Sequence, residues 1–177
     1  MTSFVPHPAL RDRVVAIDVV ESRGGESLVV PTTSAVLGLQ FRGSVRTGER
    51  TLTTAGITGL QTGPRRYRYA AETGSVLVRF TPQGAVSLGV PAAMLVDQSV
   101  SLEDLLPRRS VQAALQRLVE ADDDRGRVDA VEGLLLRLPF VGDGVVSHAL
   151  TLLRAPAASV SGVARALSMT ERSLERR

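Results

Sequence analysis

At Pro82 the hydrophobic rhythm of this chain changes, and that change limits the fold more than any other feature. Upstream, apolar residues alternate with polar ones or form short β-branched runs. Downstream, they recur three and four residues apart. A period of two marks strands with one packed face, and a period near 3.6 marks amphipathic helices. The chain therefore reads as α+β, with the strands first.

The strand half begins after an extended, Pro-rich lead-in over residues 4–13. Residues 13–21 are β-branched and read as a strand, Arg23-Gly24-Gly25-Glu26 as a turn, and Ser27 to Pro31 as a second strand. From Val36 to Arg42 the residues alternate, with Leu37, Leu39 and Phe41 on one side and Val36, Gly38, Gln40 and Arg42 on the other. A polar hairpin region covers Arg46 to Thr54, and Ala55 to Gln61 is another strand. Arg65 to Ala70 sets Arg66 and Arg68 opposite Tyr67 and Tyr69. Ser75 to Thr81 sets Val76, Val78 and Phe80 opposite Leu77 and Arg79. About seven short strands separated by turns predict an antiparallel barrel or sandwich.

The helical half opens with short pieces at Gln83 to Leu88 and Pro91 to Leu95. Ser101-Leu102-Glu103-Asp104 resembles a capping box, opening a short helix that ends near Pro107. Ser110 to Ala121 carries an apolar stripe of Val111, Ala114, Leu115 and Leu118. This is a core-facing pattern that could also serve as a dimer interface. Asp122-Asp123-Asp124 lacks the spacing of a calcium loop and reads as an acidic turn, with Asp124 capping a helix from Arg125 to Leu138. Pro139 ends that helix. Asp143 can cap a further one from Gly144 to Arg154.

The chemistry this sequence can support is narrow. It has no cysteine, and only two histidines, His7 and His148, far apart in the chain. A disulfide framework and a cysteine-ligated metal are excluded, and neither metal nor cofactor is expected. There is no Gly-x-Ser-x-Gly and no phosphate loop, so an enzyme is not expected; a metal-free enzyme on a barrel is a remote alternative. No stretch approaches the roughly 18 apolar residues of a membrane helix. The start lacks the basic-then-apolar pattern of a signal peptide, so a cytoplasmic protein without membrane partners is expected. All 21 basic residues are Arg, which reflects the composition of a GC-rich bacterial genome rather than chemistry.

Arg65-Arg66-Tyr67-Arg68-Tyr69 interleaves bases with aromatics, as single-strand nucleic-acid binders do. Strand periodicity alone accounts for it, with Tyr toward the core and Arg in solvent, and is preferred. A third reading is a small-molecule pocket in the barrel mouth. Tyr67, Tyr69 and Arg79 are its candidate ligand-binding residues, although a solvated or salt-bridged strand arginine is the preferred reading of Arg79.

The last nineteen residues carry the clearest local pattern. Val160, Val163, Ala164 and Leu167 share one helical face, with Ser159 as N-cap. Thr170 can cap a second helix, with Glu171 in its first turn. Two short helices and a tight turn fit a helix-turn-helix, whose second helix reads the DNA major groove, and fit a generic helical hairpin equally well on pattern alone. The whole net charge of +3 lies in residues 145–177, the footprint of a phosphate-contacting element.

These residues resemble a family. Val163-Ala164-x-x-Leu167-x-Met169-Thr170-x-Arg172-x-Leu174-x-Arg176 is similar to the first helix-turn-helix of the AraC family of bacterial transcription regulators. Upstream, Gly59-Leu60-Gln61, Val78-Arg79-Phe80-Thr81-Pro82-x-Gly84, Leu88-Gly89-Val90-Pro91 and residues 100–106 look like the sensor domain of one AraC subgroup. The resemblance implies a cupin-like, β-barrel-like sensor at residues 1–100. It implies a helical linker or dimerisation segment at 101–140 and the start of a DNA-binding domain at 141–177. It also implies double-stranded DNA and an unknown small-molecule effector as partners, with homodimerisation as a further use of the helices. Carried over by position, Arg172, Glu175 and Arg176 face DNA and Leu174 is core. Ser168 stands where the family usually has Gly, so the turn needs another solution. The run stops inside the second helix, so the chain is expected to be a fragment that binds an operator weakly. A plain dimerisation or interaction module is the alternative.

Overall fold

The computed structural model describes residues 1–86, 88, 89, 92–138 and 144–175. Ten strands and six α-helices lie among them, and all strand pairing is antiparallel. The strands are β1 (Thr2–Phe4), β2 (Val14–Ser22), β3 (Gly25–Val29), β4 (Val36–Arg42), β5 (Val45–Thr47), β6 (Arg50–Thr51), β7 (Ala55–Thr58), β8 (Arg65–Tyr69), β9 (Thr73–Phe80) and β10 (Ser99–Ser101). They form a six-stranded sheet, β1-β2-β9-β4-β7-β10, and a four-stranded sheet, β3-β8-β5-β6. From β2 to β9 the chain crosses repeatedly between the two sheets, which sets one against the other. The result is the sandwich form of the expected architecture. A closed barrel would pair the sheet edges; here the edges β1 and β10 of one sheet and β3 and β6 of the other do not pair, and all but β3 are only two or three residues long.

The helices are α1 (Pro82–Val86), α2 (Arg108–Glu120), α3 (Asp124–Leu135), α4 (Gly144–Leu153), α5 (Val160–Ala166) and α6 (Glu171–Glu175). The six-stranded sheet buries Ile17, Val19, Leu37, Leu39, Ile57, Val76, Val78 and Phe80 on one face. Val111, Ala114 and Leu118 of α2 and Val128, Val131, Leu134 and Leu135 of α3 join the same core. Each such side chain contributes about 1.5–3 kcal/mol by leaving water. Residues 101–138 are thus the outer layer of the sheet and share its core. Phe41, at an irregularity in β4 between Gln40 and Arg42, lies 4.3 Å below the guanidinium of Arg127 on α3.

Several local expectations change. The lead-in contributes a strand, β1, whose Thr2 and Phe4 pair with Val19 and Ile17. β10 has no counterpart among the expected strands and ends on the first residue of the expected capping box. Ser101 does both jobs: it pairs with Gly56 and accepts from the Glu103 amide at 3.3 Å. The cap of α3 is Asp123, not Asp124. The extended backbone of Asp123 swings its carboxylate over the Gly126 amide at 2.7 Å, and Asp124 instead pairs with Arg127 at 2.9 Å. The expected roles of Pro139 and Asp143 lie outside the described residues. Among the described residues, no helix is long and apolar enough to cross a membrane.

Candidate ligand cavity and helix-turn-helix

Alternation does more than bury one face of the six-stranded sheet. It turns Asp18, Val20, Gly38, Gln40, Ser75, Leu77 and Arg79 toward the other sheet. There they line a cavity of about 570 Å3 together with Val45, Thr47, Arg65, Tyr67 and Tyr69. This volume lies within the range of small-molecule sites. Tyr67, Tyr69 and Arg79, singled out from sequence, come together here. Arg66 and Arg68 face outward, where both pair with Glu26 of β3 at 3.1 and 2.6 Å.

The room comes from the floor. Gly38 and Gly56 pair across β4 and β7. A Cβ on Gly38 would meet nothing closer than Leu77 Cδ2 at 3.5 Å, an ordinary van der Waals contact, so a side chain can start there on the cavity side. At one end, Gly59 holds the wall tight. A Cβ there would fall 2.0 Å from the Leu95 carbonyl oxygen, so only glycine allows the approach. Asp97 locks the same corner. Its carboxylate accepts from the Thr62 amide at 2.9 Å and the Thr62 hydroxyl at 2.6 Å, and these bonds hold its pKa below the usual value. Arg65 donates to the Asp97 carbonyl at 2.7 Å.

Asp18 and Arg79 form the polar centre of the floor. Arg79 Nε donates to Asp18 Oδ2 at 3.0 Å; the Asp18 side chain is 7% exposed and that of Arg79 is 46% exposed. Asp18 Oδ1 is buried without a hydrogen-bond partner. On the wall, Gln61 donates through Nε2 to the Tyr67 hydroxyl at 3.1 Å, while its buried Oε1 has no partner. Leaving such an acceptor unpaired costs about 1–3 kcal/mol. Burial pushes the Tyr69 phenol above its ordinary pKa, and the neighbouring Tyr67 adds to the shift. Asp18 and Gln61 escaped sequence reading. The available signal was a single acid inside the apolar run Val14 to Val20, since a carboxylate on a buried strand needs a partner.

The C-terminal pattern forms two helices, α5 and α6. Ser159 Oγ accepts from the Gly162 amide at 3.1 Å, and Thr170 Oγ1 from the Ser173 amide at 3.1 Å, so both expected caps are present. The turn between them resolves the missing glycine. Ser168 itself adopts a left-handed backbone with φ of 55°. The Met169 amide then donates to the Ala164 carbonyl at 2.8 Å and the Ser168 amide to that of Arg165 at 3.0 Å, a Schellman ending. Val163 and Ala164 are buried, Arg172 and Glu175 are exposed on α6, and Leu174 is half-buried. Arg176 lies outside the described residues. No family model matches the chain, and no curated protein matches it.

Proposed function

We propose that this chain is the effector-sensing part of an AraC-type transcription regulator, built on a half-open, cupin-like sandwich and joined to a DNA-reading helix-turn-helix. The observation that carries this reading is the cavity between the sheets, with a buried, incompletely bonded Asp18 paired to a half-exposed Arg79 on its floor. The capped helix pair ending in exposed Arg172 and Glu175 supports the DNA-reading half. Coupling has a short route. Asp18 lies between Ile17 and Val19 on β2, and those two residues belong to the core shared with α2 and α3. An effector that fits the floor in only one arrangement of this sheet biases the helices behind it.

The reading is tested in two arms. Dye-monitored melting against small amphipathic molecules should give compounds that raise the midpoint, and Gly38→Leu should erase the rise by filling the cavity. A library that never moves the midpoint of a cooperatively melting protein removes the sensing role. For the DNA-reading half, selection from random duplexes should enrich one sequence class, and Arg172→Ala should weaken binding about 10- to 100-fold. Equal affinity for all duplexes in both proteins would remove the regulator reading.

A further inference from the structure

The head group that the cavity selects follows from its floor. Asp18 and Arg79 form an ion pair, so that end of the cavity is close to neutral. The pair is nevertheless unfinished on both sides. Asp18 Oδ1 lacks a donor. Arg79 uses only Nε on Asp18, and its half-exposed terminal N–H groups have no protein acceptor among the described residues. An arriving group must therefore donate one hydrogen bond and accept another. A carboxylate satisfies Arg79 but brings its charge against the Asp18 oxygen. An ammonium satisfies Asp18 but stands against the guanidinium. A carboxamide or a hydroxyl meets both demands with no net charge once the Asp18 carboxylate turns about Cβ–Cγ and brings the buried Oδ1 into the cavity.

The rest of the cavity describes what the head group is attached to. Val20, Val36 and Leu77 surround the pair, and Val45 and the rings of Tyr67 and Tyr69 lie in the opposite wall. These surfaces suit a flat or branched apolar body. We infer that the cavity takes a neutral amphipathic molecule, an apolar or aromatic body ending in a carboxamide or hydroxyl that bridges Asp18 and Arg79. This rests on the reading of the cavity as a ligand site given above, and it adds the chemical class.

A matched naphthalene series separates the two ideas: 2-naphthamide, 2-naphthalenemethanol, 2-naphthoate, 2-naphthylmethylammonium and 2-methylnaphthalene, each titrated by calorimetry at neutral pH. The amide and the alcohol should bind at least about tenfold more tightly than either charged probe. Asp18→Asn should shift preference toward 2-naphthoate, because the guanidinium is then uncompensated. Arg79→Gln should shift it toward 2-naphthylmethylammonium, because the carboxylate is. The wild-type ranking stands as a test even where one variant melts early. Tightest binding by 2-naphthoate or the ammonium in the wild type, or an affinity indifferent to the head group, overturns this inference and leaves the cavity a ligand site. Absence of binding by every probe, the apolar parent included, or binding that Gly38→Leu leaves intact, overturns the ligand-site reading itself.

Discussion

On β2, β4 and β9, neighbouring residues meet opposite surroundings. Ile17, Leu37, Leu39, Val76 and Val78 enter the core beneath α2 and α3, and each is fully buried or nearly so. Asp18, Gly38, Gln40, Ser75 and Arg79, one step along the same strands, line the cavity instead. The first face is covered by the helices and its side chains are out of reach of solvent. The second gives up packing and keeps polar groups with unfilled hydrogen-bonding capacity, a cost that a ligand can recover. A single sheet thus has a packed side and an open, polar side, and the division is set by a period of two.

The largest effect should come from testing that division at adjacent positions. Leu37→Ala opens a hole beneath the helices and should cost about 2–5 kcal/mol in urea unfolding. Gly38→Leu, on the cavity side, should change stability by less than about 1 kcal/mol, because it fills open space and a larger side chain suits a strand. It should also abolish probe binding. Comparable losses from the two variants would show that the faces do not differ. A smaller effect is expected at the margin of the packed face. Phe41→Leu keeps an apolar side chain but removes the ring beneath Arg127, and should cost roughly 0.5–2 kcal/mol by the same measurement.

Tyr69 probes how dry the open face is. Its pKa is raised by burial and by Tyr67, so the folded chain keeps this proton beyond the ordinary tyrosine value of 10.0. The stability linked to it is fully present below that value and is lost as pH rises through the raised one. Phenolate absorbance should show Tyr69 ionising late, and Gly38→Leu should delay it further by excluding water. Ordinary titration of Tyr69 in the folded protein would mean that the cavity is flooded and that its polar groups are already satisfied by water.

This division was half visible in the amino-acid order. The alternation at Val36 to Arg42 and Ser75 to Thr81 placed Leu37, Val76 and Val78 opposite Gly38, Leu77 and Arg79, as the sheet does. It brought Tyr67, Tyr69 and Arg79 under suspicion without showing that they meet, because a period gives a face and not a partner strand. Asp18 was hidden for the same reason. Its role depends on β2 lying beside β9, a pairing between positions 61 residues apart. β1 and β10 were missed because three residues carry no measurable period. The Asp123 cap was missed because three consecutive acids offer equal capping chemistry and only backbone direction selects among them. At Ser168 the departure from glycine was legible, but its solution, a left-handed serine, depends on the two amide bonds that close the turn.

The smallest effect belongs to the outer face of the four-stranded sheet, and it sharpens the comparison by using the same chemistry. Glu26 there accepts from Arg68 and Arg66, as Asp18 does from Arg79 in the cavity. The Arg68 and Arg66 hydrogen bonds hold the Glu26 pKa below the usual carboxylate range. Its contribution is therefore present above the unfolded value and is lost as pH falls through the depressed folded one. Glu26 is open to solvent, so salt screens the pair and the two long side chains give back entropy on holding it. Glu26→Gln should leave the urea midpoint unchanged within error at moderate salt, and probe binding with it. Asp18→Asn, which also removes one carboxylate charge facing an arginine, should reorder the head-group preference. If both substitutions leave ligand choice untouched, the buried Asp18 carboxylate is as inert as the exposed one of Glu26, and burial beside a cavity has conferred nothing on it.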